Sequence, residues 1–223
     1  MEARSRHQCL VYEGAPSRHL PALASMIHQK LREDFRCFYL NSPPIIAGLR
    51  TLLAAKGVDV VNETSKARLI LSSQPALTAE GNFDIDLMLN KLEDALDQAL
   101  SSGYKGLLAT GDMTYEFGPK QNFEKLMEYE WRLEKLFQKR EELCGVCQYH
   151  LDTLPRAVAR QGLLSHRTLF INETLSRINP YYISTEVLSE QMLTNPELDE
   201  MLTTLCRLQD IILSRPVEAT GVN

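Results

Sequence analysis

The chain lacks a phosphate-binding loop at the position where its own pattern calls for one. Residues 7–12 form an apolar run typical of a strand, and residues 19–33 have the spacing of a helix. When such a strand–loop–helix unit binds nucleotide phosphates, its loop reads G-x-x-x-x-G-K-[ST] and the backbone N–H groups line an anion site. Here the loop contains one glycine, no Gly-Lys pair and the acidic Glu13, which would repel phosphate. The unit therefore indicates a nucleotide-type α/β scaffold with another use, and we expect that use to be sensing.

The sequence also lacks signals for membrane insertion and secretion. No stretch approaches the roughly 18 uninterrupted apolar residues of a membrane span, and no apolar segment follows the N-terminal arginines. The five cysteines are widely spread, and a chain of 223 residues needs no disulfide to hold its core. We therefore expect reduced thiols, a cytoplasmic location and no membrane partner. A net charge of −5 with scattered Lys and Arg argues against nucleic acid as a direct partner.

What the chain does contain is an alternation of apolar runs and segments with helical spacing. Strands are predicted at residues 7–12, 36–40, 58–61, 67–71, 106–110 and 143–149, with edge strands at 169–171 and 181–183. Helices are predicted at residues 19–33, 45–56, 84–103, 121–140 and 196–213. The alternation predicts a three-layer α/β fold, in which helices cover both faces of a mainly parallel sheet, plus a C-terminal helix. We expect an α/β domain over residues 1–185, a helical extension over 186–214 and a disordered tail over 215–223.

Polar side chains follow several of the predicted strands. In open parallel sheets the ligand crevice lies beyond the carboxyl ends of the strands, so these residues should meet there. They are Tyr12, Glu13, Asn41, Ser42, Ser72, Ser73, Thr110, Gly111, Asp112, Met113, Tyr115, Tyr149 and His150. Tyrosines, hydroxyls and a few carboxylates suit a pocket for a small molecule. The alternative is that they are only the polar loops in which every fold of this kind ends its strands.

One carboxylate interrupts the apolar stripe of the long predicted helix. Glu130 falls between Met127 and Leu133 on the face that should be buried. An unpaired buried carboxylate costs several kcal/mol or takes up a proton, so Glu130 should have a partner or face a cavity. The alternative is a carboxylate at the edge of the stripe, paired with an arginine from another element.

Cysteine and histidine residues do not form a recognisable metal motif. Cys144 and Cys147 make a single C-x-x-C, whereas zinc sites usually need two, and residues three apart in a strand point to opposite faces. We therefore expect buried structural cysteines, with His7 and His166 as hydrogen-bonding anchors rather than ligands. No metal and no cofactor are predicted.

Five short motifs follow one another along the chain. In order, they are His7-x-Cys9-x-x-Tyr12, Gly111-Asp112-Met113 followed by an aromatic residue, Tyr129-Glu130, Cys147-x-Tyr149 and His166. Together they resemble the MEDS sensory domain, the methanogen/methylotroph and dichloromethane-regulator sensory domain. This resemblance implies a KaiC/RecA-like fold without its nucleotide loop. It also implies a domain that senses small organic molecules, notably hydrocarbon derivatives, and that is often joined to a DNA-binding or histidine-kinase output.

The resemblance also implies site residues. Those carried over from the family motifs are His7, Cys9, Tyr12, Glu130, Cys147, Tyr149 and His166. The predicted ligand-binding set is completed by Glu13, Gly111, Asp112, Met113 and Tyr115. The chain departs from the family at Tyr115, where Trp is frequent, and at His150, where Asp is common, and both departures bear on ligand identity.

The leading hypothesis is a stand-alone sensor of a small, partly apolar molecule. Nothing after Tyr182 reads as a helix-turn-helix or a kinase. We therefore expect the signal to pass to a regulator or kinase partner, or to a second copy through the apolar stripe of the C-terminal helix. That stripe could instead pack on the domain itself.

Two other functions remain open at this stage. A degenerate nucleotide-binding protein or hydrolase would use Asp112, Glu116 or Glu130 as acid or base. A redox or metal switch would use Cys9, Cys144 and Cys147.

Overall fold

A seven-stranded sheet forms the middle layer of the computed structural model, which describes residues 6–183 and 198–213. The strands are β1 (His7–Tyr12), β2 (Phe35–Leu40), β3 (Leu69–Ser72), β4 (Gly106–Asp112), β5 (Leu143–His150), β6 (Thr168–Phe170) and β7 (Ser176–Ile178). Their order in the sheet is β3-β2-β4-β5-β1-β6-β7. Every pair is parallel except β6 and β7, which are antiparallel.

Helices cover both faces of this sheet. They are α1 (Leu20–Arg32), α2 (Pro43–Ala55), α3 (Val60–Ser65), α4 (Ile85–Ser101), α5 (Met113–Glu116), α6 (Leu126–Lys139), α7 (Arg156–Ser165) and α8 (Leu198–Leu213). One core joins the sheet to α1, α2 and α3, and the other joins it to α4, α6, α7 and α8. The predicted three-layer, mainly parallel α/β fold with a C-terminal helix is confirmed.

The two faces divide successive residues of the central strands between the two cores. In β1, Cys9 packs toward α6 and α7, whereas Leu10 and Tyr12 pack toward α1 and α2. In β5, Val146 and Cys147 divide in the same way. This is the two-residue period of a strand that is buried on both sides.

Two of the predicted strands are wrong. Residues 60–65 form helix α3, because the Asp59 side chain accepts a hydrogen bond from the Asn62 N–H at 3.0 Å and caps the helix N-terminus. Residues 181–183 form no strand: a turn covers residues 180–181, in which the Tyr181 N–H donates to the Asn179 side chain at 3.0 Å. The edge strand lies earlier, at β7, whose three residues are too short to show alternation.

The C-terminal helix α8 packs on the rest of the chain. Leu198, Met201 and Leu205 of its predicted stripe are buried in the core that contains α7. An ion pair between Arg156 and Asp199 links the same two helices. The side chains of residues 208 and 212, and the predicted tail, lie outside the described residues. No helix of the described part is long and apolar enough to cross a membrane.

Gly145 of β5 lies close to both the backbone of β4 and the side chain of Phe137 in α6. A Cβ atom there would lie 2.6 Å from the Ala109 carbonyl oxygen and 2.8 Å from Cζ of Phe137. Because a strand backbone cannot yield as a side chain can, Gly145→Ala should lower the free energy of unfolding by roughly 1–3 kcal/mol in urea titrations. The control is Gly48→Ala, whose nearest contact is the flexible end of Leu20 at 3.3 Å. Equal effects of the two substitutions would contradict this account.

Candidate functional site

A cleft of about 580 Å³ opens beyond the carboxyl ends of the parallel strands. It is lined by predicted site residues from the ends of β1, β2, β4 and β5, namely Tyr12, Asn41, Ser42, Asp112, Tyr115 and His150. Ile45, Thr114, Thr153 and several prolines complete its walls. The rule that places ligands beyond the strand ends therefore locates a real concavity, and its lining is partly apolar and partly polar.

Asp112 organises the floor of this cleft. One carboxylate oxygen accepts the Tyr115 N–H at 2.9 Å and caps α5, and the other lies 3.3 Å from the Tyr12 hydroxyl. The Tyr12 ring stacks on His150, with the ring centroids 4.6 Å apart. Burial raises the pKa of Asp112, although these hydrogen bonds oppose the shift. Burial, with the nearby Asp112, raises the pKa of Tyr12 well above its usual range.

In the loop after β1, a backbone N–H that could bind an outside anion is bonded to a carboxylate of the protein itself. The Gly14 N–H donates to the Asp152 carboxylate at 2.8 Å. Two prolines, Pro16 in a 3₁₀ turn and Pro21 in the first turn of α1, supply no N–H at all. Glu13 is exposed and does not line the cleft. Several of the donors that a phosphate would need are therefore absent or engaged.

The predicted site residues divide between the cleft and a second, enclosed location. Gly111, Met113 and Tyr149 are buried and do not line the cleft. On the α6 and α7 face of the sheet lies the buried cluster, which we define as His7, Glu130, Cys147 and His166. Cys9 lies in the same core and is fully buried. Six of the residues carried over from the family motifs thus lie away from the cleft.

The buried cluster brings four chemically active side chains close together. His7 Nε2 lies 3.4 Å from Cys147 Sγ and 3.5 Å from Glu130 Oε2. His166 Nε2 lies 3.5 Å from the same carboxylate oxygen. No side chain of the cluster is more than 7% exposed. The expectation that Glu130 has partners is right, and the alternative of an arginine at the edge of the stripe is wrong.

A ring of outer contacts holds the cluster in place. Nδ1 of His7 lies 2.8 Å from the Glu134 carboxylate, and Nδ1 of His166 lies 2.7 Å from the Gly162 carbonyl oxygen. The Tyr149 hydroxyl donates to the other oxygen of Glu130. Glu134 and Gly162 were not predicted. The signal for Glu134 is its position four residues after Glu130, on the same face of the helix.

Burial sets the charges inside the cluster. It raises the pKa of Glu130, and the proximity of His7 and the Tyr149 hydroxyl opposes only part of that shift. Burial lowers the pKa of His166 well below its usual range, and the neighbouring His7 lowers it further. The thiol pKa of Cys147 is raised by burial and by the Glu130 carboxylate. The core therefore favours the neutral forms of these groups unless a positive charge enters.

The four described cysteines are free. Cys9, Cys37 and Cys147 are buried, and Cys144 packs at the edge of the opposite core from Cys147. The predicted division of the C-x-x-C between the two faces is confirmed. The pair cannot close a disulfide or chelate one ion from this strand geometry.

Glu116 is a second buried carboxylate, between the cleft and the cluster. It is 3% exposed, and the Tyr129 hydroxyl donates to it at 3.2 Å. A cavity of about 20 Å³ separates it from Cys147. A Cβ at position 111 would overlap a Glu116 carboxylate oxygen, so any other residue there would displace the Glu116 side chain. Burial raises the pKa of Glu116 to about 8.

Residues 6–167 match the model of a family described as MEDS, the methanogen/methylotroph, DcmR sensory domain. The chain is 24% identical over 164 residues to the transcriptional repressor DcmR of Methylorubrum extorquens (strain DSM 6343 / CIP 106787 / DM4). That match covers 74% of this chain but only 59% of the repressor.

Two solved structures align with the chain at low sequence identity. An uncharacterized protein, PH0321 from Pyrococcus horikoshii, crystallised with an unknown peptide, aligns with a TM-score of 0.51 at 14% identity, covering 73% of this chain and 75% of that one. The flagellar accessory protein FlaH from Methanocaldococcus jannaschii aligns with a TM-score of 0.44 at 13% identity, covering 78% and 79%. The first likeness supports the three-layer α/β fold.

The raised pKa of Glu116 predicts a distinctive pH dependence of stability. Between about pH 4.5 and pH 8 the folded chain keeps a proton that the unfolded chain has released, so stability falls as pH rises through this window. Glu116→Gln removes that proton linkage. The variant should therefore be more stable than wild type at pH 8 by at least ~1 kcal/mol, and similar to it near the lower end of the window.

Urea titrations across this range measure the difference directly. The control is Glu124→Gln, at an exposed position ten residues before Glu134. Its free energy of unfolding should vary with pH as that of wild type does. Parallel stability curves for wild type and Glu116→Gln would mean that Glu116 is ionised in the folded protein.

Proposed function

The chain belongs to the MEDS family of sensory domains, and from that premise we propose that it binds a small, partly apolar organic molecule in the cleft. The observation that carries this proposal is the convergence of Tyr12, Asp112 and Tyr115, all in family motifs or beside them, on one concave site. Its volume lies within the roughly 300–1,000 Å³ of typical ligand pockets. A sensory and regulatory role follows from the family, and the ligand and its recognition are our proposal.

The lining suits a molecule that is partly apolar and partly polar. Ile45, Pro75 and the tyrosine rings supply apolar contact, while Asn41, Ser42 and Asp112 supply polar groups. Small halogenated or methylated organic compounds have this character. Such a molecule would be held mainly by shape and burial, with a few polar contacts fixing its orientation.

Ligand binding would connect segments that are otherwise joined by few side chains. The Tyr115 hydroxyl donates to the Ser73 carbonyl at 2.6 Å, and the Thr114 and Thr153 hydroxyls are 2.7 Å apart. A molecule between them bridges α5 to the loops after β3 and β5. The signal then reaches a regulator or kinase partner, or a second copy of the chain, as a change in the relative stability of these loops.

The regulatory output is part of the proposal. The relative DcmR is named a transcriptional repressor, and this chain spans 59% of its length. By analogy the cleft would control transcription through a segment or partner that binds DNA. The described part of the C-terminal stripe is buried within the chain, so we place the partner surface elsewhere.

The nucleotide-hydrolase alternative predicts ATP binding in the same cleft. Among the described residues that line it, none is Lys or Arg, and Asp112 would face the phosphates. Equilibrium dialysis with labelled ATP and Mg²⁺ should therefore show no retention by the protein. Saturable binding of ATP would support the hydrolase hypothesis, and it would contradict the proposal that the cleft binds a sensed organic molecule.

A thermal-shift screen with small halogenated and methylated compounds tests the proposal directly. At saturating concentration, at least one of them should raise the melting temperature, because a ligand that binds only the folded state stabilises it. Absence of any stabilisation across the panel would count against ligand binding in this cleft.

Thr114→Trp should block the cleft for any compound found in that screen. Thr114 lines the cleft, so an indole at this position occupies the ligand's volume whatever its polar contacts are. We expect at least ~10-fold weaker binding by calorimetry, equivalent to about 1.4 kcal/mol. Thr51→Trp, at an exposed position of α2 outside the cleft, is the matched control and should bind as wild type does. Unchanged binding by Thr114→Trp would place the ligand elsewhere.

A further inference from the structure

We propose that the buried cluster is a binding site for a divalent transition-metal ion, with Zn²⁺ as the ion best matched to its donors. The cluster offers two imidazole nitrogens, one thiol sulfur and one carboxylate oxygen. This combination of borderline and soft donors is typical of Zn²⁺ and related first-row ions, and differs from the all-oxygen sets of Mg²⁺ and Ca²⁺. The inference is independent of the ligand proposed for the cleft.

The spacing of the donor atoms fits a tetrahedral ion. All four lie within 4.8 Å of one another, and the three measured separations are 3.4, 3.5 and 3.5 Å. An ion with bonds of about 2.0–2.3 Å to its ligands holds neighbouring tetrahedral donors roughly 3.3–3.8 Å apart. The side chains therefore need only small movements to reach a central ion.

Both histidines are oriented as metal ligands usually are. Each has Nδ1 turned outward to an oxygen, the Glu134 carboxylate for His7 and the Gly162 carbonyl for His166. An Nδ1–H donor in each ring leaves the Nε2 lone pair directed inward. A second shell of this kind, carboxylate or carbonyl behind imidazole, fixes the tautomer and raises the basicity of the ligand nitrogen.

Two of the inward atoms also need a positive neighbour. His166 Nε2 and Glu130 Oε2 are buried and, among the described residues, have no hydrogen-bond partner of acceptable geometry. They face each other at 3.5 Å, so a lone pair meets a carboxylate oxygen unless a proton or a cation lies between them. One proton satisfies that single contact, whereas a metal ion satisfies all four donors together.

Bound metal would have a structural role. The four donors come from β1, α6, β5 and the residue that follows α7, so one ion joins four elements around the sheet. Four protein ligands leave no open position for a substrate, as in structural zinc sites. The sequence predicted no metal because it offers a single C-x-x-C and because His7 and His166 were expected to be hydrogen-bonding anchors; of the C-x-x-C pair, Cys147 alone belongs to this set.

Metal analysis of the full chain, purified without chelators, tests this proposal. We expect about one equivalent of a first-row divalent metal per chain. Cobalt provides the structural readout: protein stripped of metal under denaturing conditions is refolded with Co²⁺, and its absorption spectrum is recorded. Tetrahedral cobalt with a thiolate ligand shows intense visible bands and a near-ultraviolet sulfur-to-cobalt band.

Two serine variants on the same strand identify the thiolate. Cys147→Ser should lose the sulfur-to-cobalt band and bind at least ~10-fold more weakly, whereas Cys144→Ser, on the opposite face, should keep both. Glu134→Gln retains all four donors and should weaken metal binding by roughly 10–100-fold, because His7 loses its charged hydrogen-bond partner.

The wild-type measurement alone can overturn the proposal, whether or not a variant folds. A folded wild-type chain that carries no stoichiometric metal and takes up no cobalt on refolding would show a proton-bridged network instead. Cobalt bands that persist unchanged in Cys147→Ser would place the ion outside the cluster.

Discussion

The burial of the Glu130 carboxylate is the constraint on which the arrangement of this fold most depends. A charged carboxylate removed from water is tolerated only if hydrogen bonds, a proton or a cation compensate it. Here the groups that face the carboxylate come from three other parts of the chain: the Tyr149 hydroxyl of β5 donates to one oxygen, and His7 of β1 and His166 after α7 lie 3.5 Å from the other. Apolar packing alone would allow these elements to slide, since hydrophobic contacts are not directional. A buried carboxylate that all three elements face, and whose second oxygen still needs a proton or a cation, restricts their register.

The same strands carry both the cleft and the cluster, so the two locations are mechanically joined. His7 and Tyr12 stand at opposite ends of β1, and their side chains project to opposite faces. In β5, Tyr149 reaches the cluster and His150 lines the cleft. Displacement of either strand along its length would therefore change the cleft walls and the cluster together. Parallel strands in the middle of a sheet, buried on both sides, are suited to this coupling because few other movements are open to them.

The periodic spacing of apolar residues predicted the sheet, its helices and the edge at which the cleft opens. The strand period and the helix period are both local properties of the chain, so they can be recognised in the sequence. Periodicity failed at residues 58–61, where the β-branched run suggested a strand. Asp59 caps a helix there instead, and this local signal proved the stronger one. The composition of the cluster was predicted residue by residue through the family motifs, but its assembly was not. His7 and His166 lie far apart in sequence, and the β1–β5 register, His7 beside Gly145 and Cys9 beside Cys147, together with the β1–β6 register, Gln8 beside Thr168, brings them to Glu130. Tertiary contacts of this kind leave no periodic trace, which is why Glu134 and Gly162 were missed.

The loop after β1 differs from a phosphate-binding loop in what its backbone donors contact. In a phosphate-binding loop, successive backbone N–H groups converge on an anion that comes from outside. Here Asp152, from the loop after β5, accepts the Gly14 N–H and takes the place of that anion. Pro16 and Pro21 remove two further donors, and Glu13 points a negative charge into solvent beside them. The helix N-terminus keeps its partial positive charge, although Ala22 and Leu23 N–H in its first turn already donate to the His19 carbonyl. This loss of donors supports the proposal that the space beside it takes a molecule recognised by tyrosine rings and polar side chains, rather than by phosphate charge.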